Sequence, residues 1–143
     1  MKTVDLRKRA ESGDVVAQTV LGICYLDGAD VEVDYKQAFR FLSAAAHKGA
    51  ARAMTNLARM YAEGMGIAKN PPAAIRLHEA AAKAGEFFSQ VALGRIFSRG
   101  LGVPVDVDAA RKWYLAAAEQ ENRVADCEGL REAKRFVAGK SQG

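Results

Sequence analysis

One pattern stands in this chain three times at a constant offset of 36 residues, and it leaves few folds open. Leu21, Leu57 and Leu93 form one column, and Gly22, Ala58 and Gly94 form the next. Tyr25, Tyr61 and Phe97 follow, then Gly28, Gly64 and Gly100. Ala38, Ala74 and Ala110 agree, as do the alanine triplets at 44–46, 80–82 and 116–118. Self-similarity at such a period marks stacked supersecondary units, none of which can bury its apolar side alone.

Each period divides into two helices. In the middle copy Met54, Leu57, Ala58 and Tyr61 recur at helical spacing and predict a helix A over about 51–63. Gly64 stands where a left-handed glycine ends a helix. Asn70 and Pro71 supply an N-cap and a first helical residue for a helix B, which Gly85 stops. Asp34 and Asp106 share the Asn70 column, and Gly49 shares that of Gly85. The third copy has Glu121 in the glycine column, so Asn122 is the expected left-handed residue there. Small residues on helix A (Gly22, Ala58, Gly94) and helix B (Ala45, Ala81, Ala117) allow close helix approach, with leucine and aromatic side chains filling the space beside them.

The repeats run over 17–49, 53–85 and 89–121, within a single domain of residues 1–143. Residues 2–13 read as an N-terminal half-repeat. Its Ala10 and Gly13 match Ala46 and Gly49, while Lys8 and Arg9 replace alanines and polarise an outer face, as the end of a stack requires. Residues 123–138 read as a degenerate helix A forming the C-terminal cap, with Gly129 in the leucine column and Leu130 one position late. Residues 139–143 are expected to be a disordered tail.

The bulk composition agrees with this and narrows the functional classes. Half the residues are hydrophobic, which argues against disorder, and many are alanine, which suits thin helix–helix packing. The net charge of +4 is too mild to argue for nucleic acid. No apolar run reaches the roughly 18 residues of a membrane span. The start, Met1 to Arg9, is basic without an apolar stretch behind it and does not read as a signal peptide. A cytoplasmic protein is expected, with a periplasmic one left open if a leader has been trimmed. Nothing calls for an oligomer, and a monomer is the expectation.

Catalytic chemistry finds no footing. The Gly-x-Gly loops at 64–66 and 100–102 follow no strand and lead into no Gly-Lys-Ser/Thr, so helix termination accounts for them. His47 and His78 share no column and have no ligand at metal spacing; a surface histidine and an interhelical one are expected. Cys24 shares its column with Met60 and Ile96 and is expected to be buried, and Cys127 partly exposed. No cofactor, metal or catalytic residue is assigned.

Taken together, Ala-x-x-x-Leu-Gly-x-x-Tyr-x-x-Gly, then Gly-x-Gly, then Asp-x-x-x-Ala-x-x-Trp-Tyr-x-x-Ala-Ala resembles the Sel1-like repeat, a relative of the tetratricopeptide repeat. The third copy is fullest, with Leu93-Gly94, Phe97, Gly100-Leu-Gly102, Asp106, Ala110 and Trp113-Tyr114. The first departs at Asp30, where the second loop glycine is expected; the second departs at Ala58 and carries Leu77-His78 for Trp-Tyr. The resemblance implies an all-α fold, a right-handed α-solenoid of antiparallel helix pairs with capping helices at both ends. It also implies a non-catalytic adaptor that binds other proteins. An immunity or regulatory protein acting on a specific enzyme or toxin is the alternative within that class. Some secreted, cysteine-rich relatives have been described as penicillin-binding or weakly β-lactamase-like; no Ser-x-x-Lys stands here and the repeat cysteines are absent, so an enzyme is not expected.

In a solenoid of this kind the A helices line a concave groove. The tetratricopeptide convention, carried through the Leu-Gly-x-x-Tyr anchor, gives five columns: Ile23/Arg59/Arg95/Arg131, Asp27/Glu63/Arg99/Arg135, Val16/Arg52/Phe88/Val124, Leu26/Ala62/Ser98/Lys134 and Thr19/Thr55/Val91/Cys127. The candidate partner-binding residues are therefore Arg52, Arg59, Phe88, Arg95, Arg99, Arg131, Lys134 and Arg135. Guanidinium forks suit carboxylates and Phe88 suits an apolar anchor, so an acidic protein segment is the expected ligand, with neither nucleic acid nor membrane as partner. The plainer account has the arginines solvated or paired along the helix, as Arg59 with Glu63, and Phe88 packed between repeats.

Overall fold

The computed structural model describes residues 3–139, and the paired helices of the three repeats fall where the repeat places them. The helices are α1 (Thr3–Glu11), α2 (Val15–Asp27), α3 (Tyr35–His47), α4 (Ala51–Glu63), α5 (Pro71–Lys83), α6 (Phe87–Arg99), α7 (Val107–Ala118) and α8 (Glu128–Ala138). Among the described residues there is no strand, and the fold is all-α, of the α-solenoid class. The expected Lys2 start of α1 and residues 140–143 of the tail lie outside the described residues.

Local chemistry sets the boundaries. The Asp34, Asn70 and Asp106 side chains each accept a hydrogen bond from the backbone N–H three residues on, at 3.0 to 3.1 Å. Each such N-cap satisfies a donor that the first helical turn leaves unpaired. Gly28, Gly64 and Gly100 end the A helices in the left-handed region. The loop then closes in the same way three times: the N–H of Asp34, Asn70 and Asp106 donates to the carbonyl of Tyr25, Tyr61 and Phe97, at 2.9 Å in each case. Asp30 departs from the repeat in identity and keeps its backbone. Its φ of 63° matches 74° at Gly66 and 82° at Gly102. Aspartate is among the few side chains that tolerate this region.

By packing, the chain forms two compact units, one ending at Leu77 and one beginning at His78. In the first, α2 packs on α3, and α4 packs on α3 and α2. Leu21, Leu42, Ala45, Ala53 and Met60 are among its most deeply buried side chains. The small-residue column has a direct steric reason. A Cβ on Gly22 would lie 2.6 Å from Leu42 Cγ, so α2 and α3 meet at a distance only glycine permits. Gly66 rests on the first turn of α3, where a Cβ would fall 2.4 Å from that of Tyr35. Cys24, expected to be buried, is half-buried, because only part of that column turns fully inward.

The second unit repeats the plan. α6 packs on α7, and α8 packs on α7 and α6 as α4 does on α3 and α2. A Cβ on Gly94 would lie 2.7 Å from the Tyr114 ring. Its core gathers Phe87, Val91, Tyr114, Ala117, Leu130 and Ala133.

Two pairs of hydrogen bonds, one in each unit, show what the first helix is. Gln18 donates to the Ala10 carbonyl at 3.1 Å, and Gln90, 72 residues later, donates to that of Ala82 at 3.2 Å. Lys48 donates to the Gly13 carbonyl and Gln120 to that of Gly85, each at 2.9 Å. Residues of α1 thus stand to α2 as the end of α5 stands to α6, and α1 is a helix B without its own helix A.

The third repeat ends differently from expectation. Asn122 is not left-handed; Asp30 is the one non-glycine residue with positive φ among those described. The chain instead continues as turns, with Arg123 and Val124 donating to the Gln120 carbonyl. These turns consume residues 120–127, so the last helix begins at Glu128 rather than near 123.

Candidate partner-binding surfaces

On each A helix four positions at spacings of four, three and four make one outward stripe. On α2 these are Val16, Val20, Ile23 and Asp27; on α4 Arg52, Asn56, Arg59 and Glu63; on α6 Phe88, Ala92, Arg95 and Arg99. Sequence reasoning found most of these positions and missed Val20, which is exposed like Val16; Leu26, Thr19 and Val91, expected on the groove, are instead turned inward and buried.

The arginines on the stripes have partners far away in sequence. In the first unit Arg59 donates to Asp27 across from α4 to α2, at 2.8 Å, rather than to Glu63 along its own helix. Arg52 is exposed in the first turn of α4. In the second unit Arg95 grips Glu132 of α8 with two nitrogens, Nε at 3.0 Å and Nη2 at 2.8 Å from Oε1. The Tyr114 hydroxyl donates to the same carboxylate, and Arg99 stands 3.7 Å from it. Glu132 keeps only 16% of its side chain exposed. Burial works to raise its pKa, but the hydrogen bonds from Arg95 and Tyr114 outweigh that and hold the carboxyl below its ordinary value. Burial, then the bond to Glu132, pushes the Tyr114 phenol up to about 12. Glu132 was not singled out from sequence, and nothing local marks it; it lies 37 residues from Arg95.

Phe88 is 63% exposed at the first turn of α6. Its neighbour Phe87 is buried, and the two rings meet edge to face at 5.2 Å. Phe88 therefore does not serve as interhelical packing.

The α8 cations are elsewhere. Leu130 is 5% exposed and fills the core position of Leu21 and Leu93, so α8 runs one residue beyond the 36-residue period. That slip places Glu132, not Arg131, in the column of Arg59 and Arg95. Arg131, Lys134 and Arg135 instead occupy the columns of Gly22, Tyr25 and Leu26. Together with Glu121, Val124 and Asp126 they border an open hollow between α8 and the preceding turns. Arg131 pairs with Asp126 at 2.9 Å, Arg135 with Glu128 at 2.8 Å, and Lys134 with Glu121. The bond from Arg135 holds the Glu128 carboxyl below its ordinary value.

One buried polar pair remains. His78 Nδ1 and Ser89 Oγ are 2.8 Å apart. His78 is 7% exposed and Ser89 wholly buried, so no substrate reaches the hydroxyl. Burial lowers the His78 pKa to about 4 and keeps the ring neutral. Among the described residues no group of His, Cys, Asp or Glu could hold a metal ion, and no helix is long and apolar enough to cross a membrane.

Comparison with known proteins agrees with the geometry. A family model described as Sel1 repeat matches residues 15–49, 51–86 and 88–122. Among solved structures, a Sel1 repeat protein from Oxalobacter formigenes is 38% identical, with a TM-score of 0.76 over 94% of this chain and 96% of that one. A protective antigen of uropathogenic Escherichia coli displaying an SLR fold is also 38% identical, with a TM-score of 0.76. The match covers 80% of this chain and 25% of that longer one. Cysteine rich protein B of Helicobacter pylori shares the fold, with a TM-score of 0.67 over 83% of this chain and 90% of that one at 19% identity. No curated protein matches the sequence. Sel1 repeat proteins generally mediate protein–protein interaction and are generally non-catalytic scaffolds. With three matched copies covering most of its length, this chain belongs to the Sel1 repeat family.

Proposed function

We propose that this chain is a non-catalytic protein-interaction module whose A helices present the contact surface, and that its ligand is a protein segment carrying acidic residues beside an apolar one. The observation that carries this reading is Phe88. A large aromatic side chain, 63% exposed on a well-ended helix with its neighbour already committed to the core, has no structural reason to face water. It heads the α6 stripe, and Arg99 closes the stripe about 16 Å away along the helix axis. Arg99 is 58% exposed and comes no nearer than 3.7 Å to Glu132, whose carboxylate is already occupied by Arg95 and Tyr114. It is the stripe's cation best placed to accept a ligand carboxylate. In the first unit Arg52, in the column of Phe88, is exposed, while Arg59 is engaged with Asp27.

The non-catalytic reading is supported by the His78–Ser89 pair, a hydroxyl hydrogen-bonded to a histidine that burial seals from any substrate. The test is partner capture from a lysate of the source organism with the full chain, comparing the wild type with Phe88→Ala and Arg99→Glu. Both substitutions should reduce recovery of the same partner, while Leu115→Ala, an exposed apolar truncation on α7, should not. Equal recovery by all four proteins would remove the α6 stripe from the account.

A further inference from the structure

The hollow beside α8 has a shape the molecule itself explains. In the first unit Gly22 and Tyr25 are the residues of helix A that meet helix B: Gly22 lies against Leu42, and Tyr25 stacks on Phe41 with ring centroids 6.3 Å apart. With the one-residue slip of α8, Arg131 and Lys134 hold those two positions. The carbonyls of Gly13 and Gly85 receive the side chain that follows the next helix B, and Glu121, bordering the hollow, is one period beyond Gly85. Both borders of the hollow are thus the borders of a place for a further helix B, after α1, α3, α5 and α7.

We propose that this vacancy is a docking site for an acidic amphipathic helix of a partner protein, separate from the α6 stripe. Its chemistry follows from the substitutions. In the α2–α3 pair helix B offers Phe41 to Tyr25 and Leu42 to Gly22. Here it would face Arg131, Lys134 and Arg135 over an apolar floor of Val124 and Leu130. An occupant therefore needs carboxylates at the helical positions of Phe41, Leu42 and Ala45, and one apolar residue for the floor. The present counter-ions do not close the site. Asp126 and Glu128 are exposed, with 76% and 60% of their side chains in water, and such pairs are individually weak enough for a ligand carboxylate to replace. A second copy of this chain is a poor occupant. Its α1 is a helix B lacking a partner, but it carries Arg7, Lys8 and Arg9 against two acids and would bring cations to cations.

The probe is a stapled amphipathic helix of about 15 residues with glutamates at the three positions and a leucine between them, and a twin carrying lysines instead. Binding to the full chain is followed by fluorescence anisotropy and by amide chemical shifts. The acidic helix should bind and shift Val124, Leu130, Arg131 and Lys134, and the lysine twin should not. Arg131→Glu/Lys134→Glu should weaken the acidic helix at least about tenfold and gain binding of the lysine twin, while Phe88→Ala leaves both unchanged. The charge swap separates a lost site from a lost fold. Absence of binding, equal binding of the two helices, shifts centred on α6, or self-association abolished by the same double substitution would each overturn the proposal. Shifts centred on α6 would support the Phe88 stripe while overturning the α8 site; the other results leave the Phe88 reading untouched.

Discussion

At the scale of single residues, the packing columns make opposite predictions for two glycines. Gly94→Ala drives a Cβ to 2.7 Å from three atoms of the buried Tyr114 ring and should destabilise the protein by about 1–3 kcal/mol. Gly129 lies in the first turn of α8, and a Cβ there meets Val91 methyls at an ordinary 3.4 Å. Gly129→Ala should therefore leave stability unchanged or raise it, by up to about 1 kcal/mol, through lower chain entropy in the unfolded state. Denaturant midpoints of both variants read this directly. His78 sets a pH dependence. Its ordinary pKa of 6.5 falls to about 4 on folding, so below 6.5 the unfolded chain takes up a proton that the folded chain refuses. Stability is complete above pH 6.5 and should decline between 6.5 and about 4, by roughly 3 kcal/mol in all. In His78→Gln the loss between pH 7 and 5 should be much smaller; an unchanged slope would place the protonated ring comfortably in the folded protein.

At the scale of helices, the caps carry the boundaries. Asp106→Ala removes the side-chain bond to the Ala109 N–H and should cost about 1 kcal/mol. Cys127 occupies the N-cap of α8 in extended backbone with no side-chain bond, so Cys127→Ser should stabilise by about 0.5–1 kcal/mol, seen as a higher melting temperature. Capping explains why so much of the fold was legible. Asn70, Asp34, Asp106 and the glycines act within four residues of themselves, and a repeat displays each of them several times. The last helix was less legible for the same reason. Its slip of one residue showed in the sequence as Leu130 standing one position late, but its start at Glu128 depends on the turns before it, which no local signal announces. The ion partners were illegible altogether. Asp27 and Glu132 lie 32 and 37 residues from the arginines they hold, so the arginine column read as more available than it is. For Phe88 the sequence left exposure and packing between repeats as rivals, because which of two adjacent phenylalanines the helix turns inward is not a local property; the structure buries Phe87 and exposes Phe88.

At the scale of the whole molecule, the described residues comprise three copies of a helix pair, with a further helix B before them and a further helix A after them. Stacked units of this kind hide apolar surface at each neighbour contact and leave their outward stripes free to vary. That freedom shows in the sequence: the stripe is apolar on α2, charged on α4, and aromatic with cations on α6. The account assigns recognition to these stripes and stability to the columns between them. The most direct measurement is site-specific photo-crosslinking in the source organism. A photoreactive phenylalanine analogue is placed at position 88 on the α6 stripe, or at position 115 on the outer side of α7. The account predicts a partner adduct from position 88 and none from position 115; adducts from position 115 with none from position 88 would contradict it.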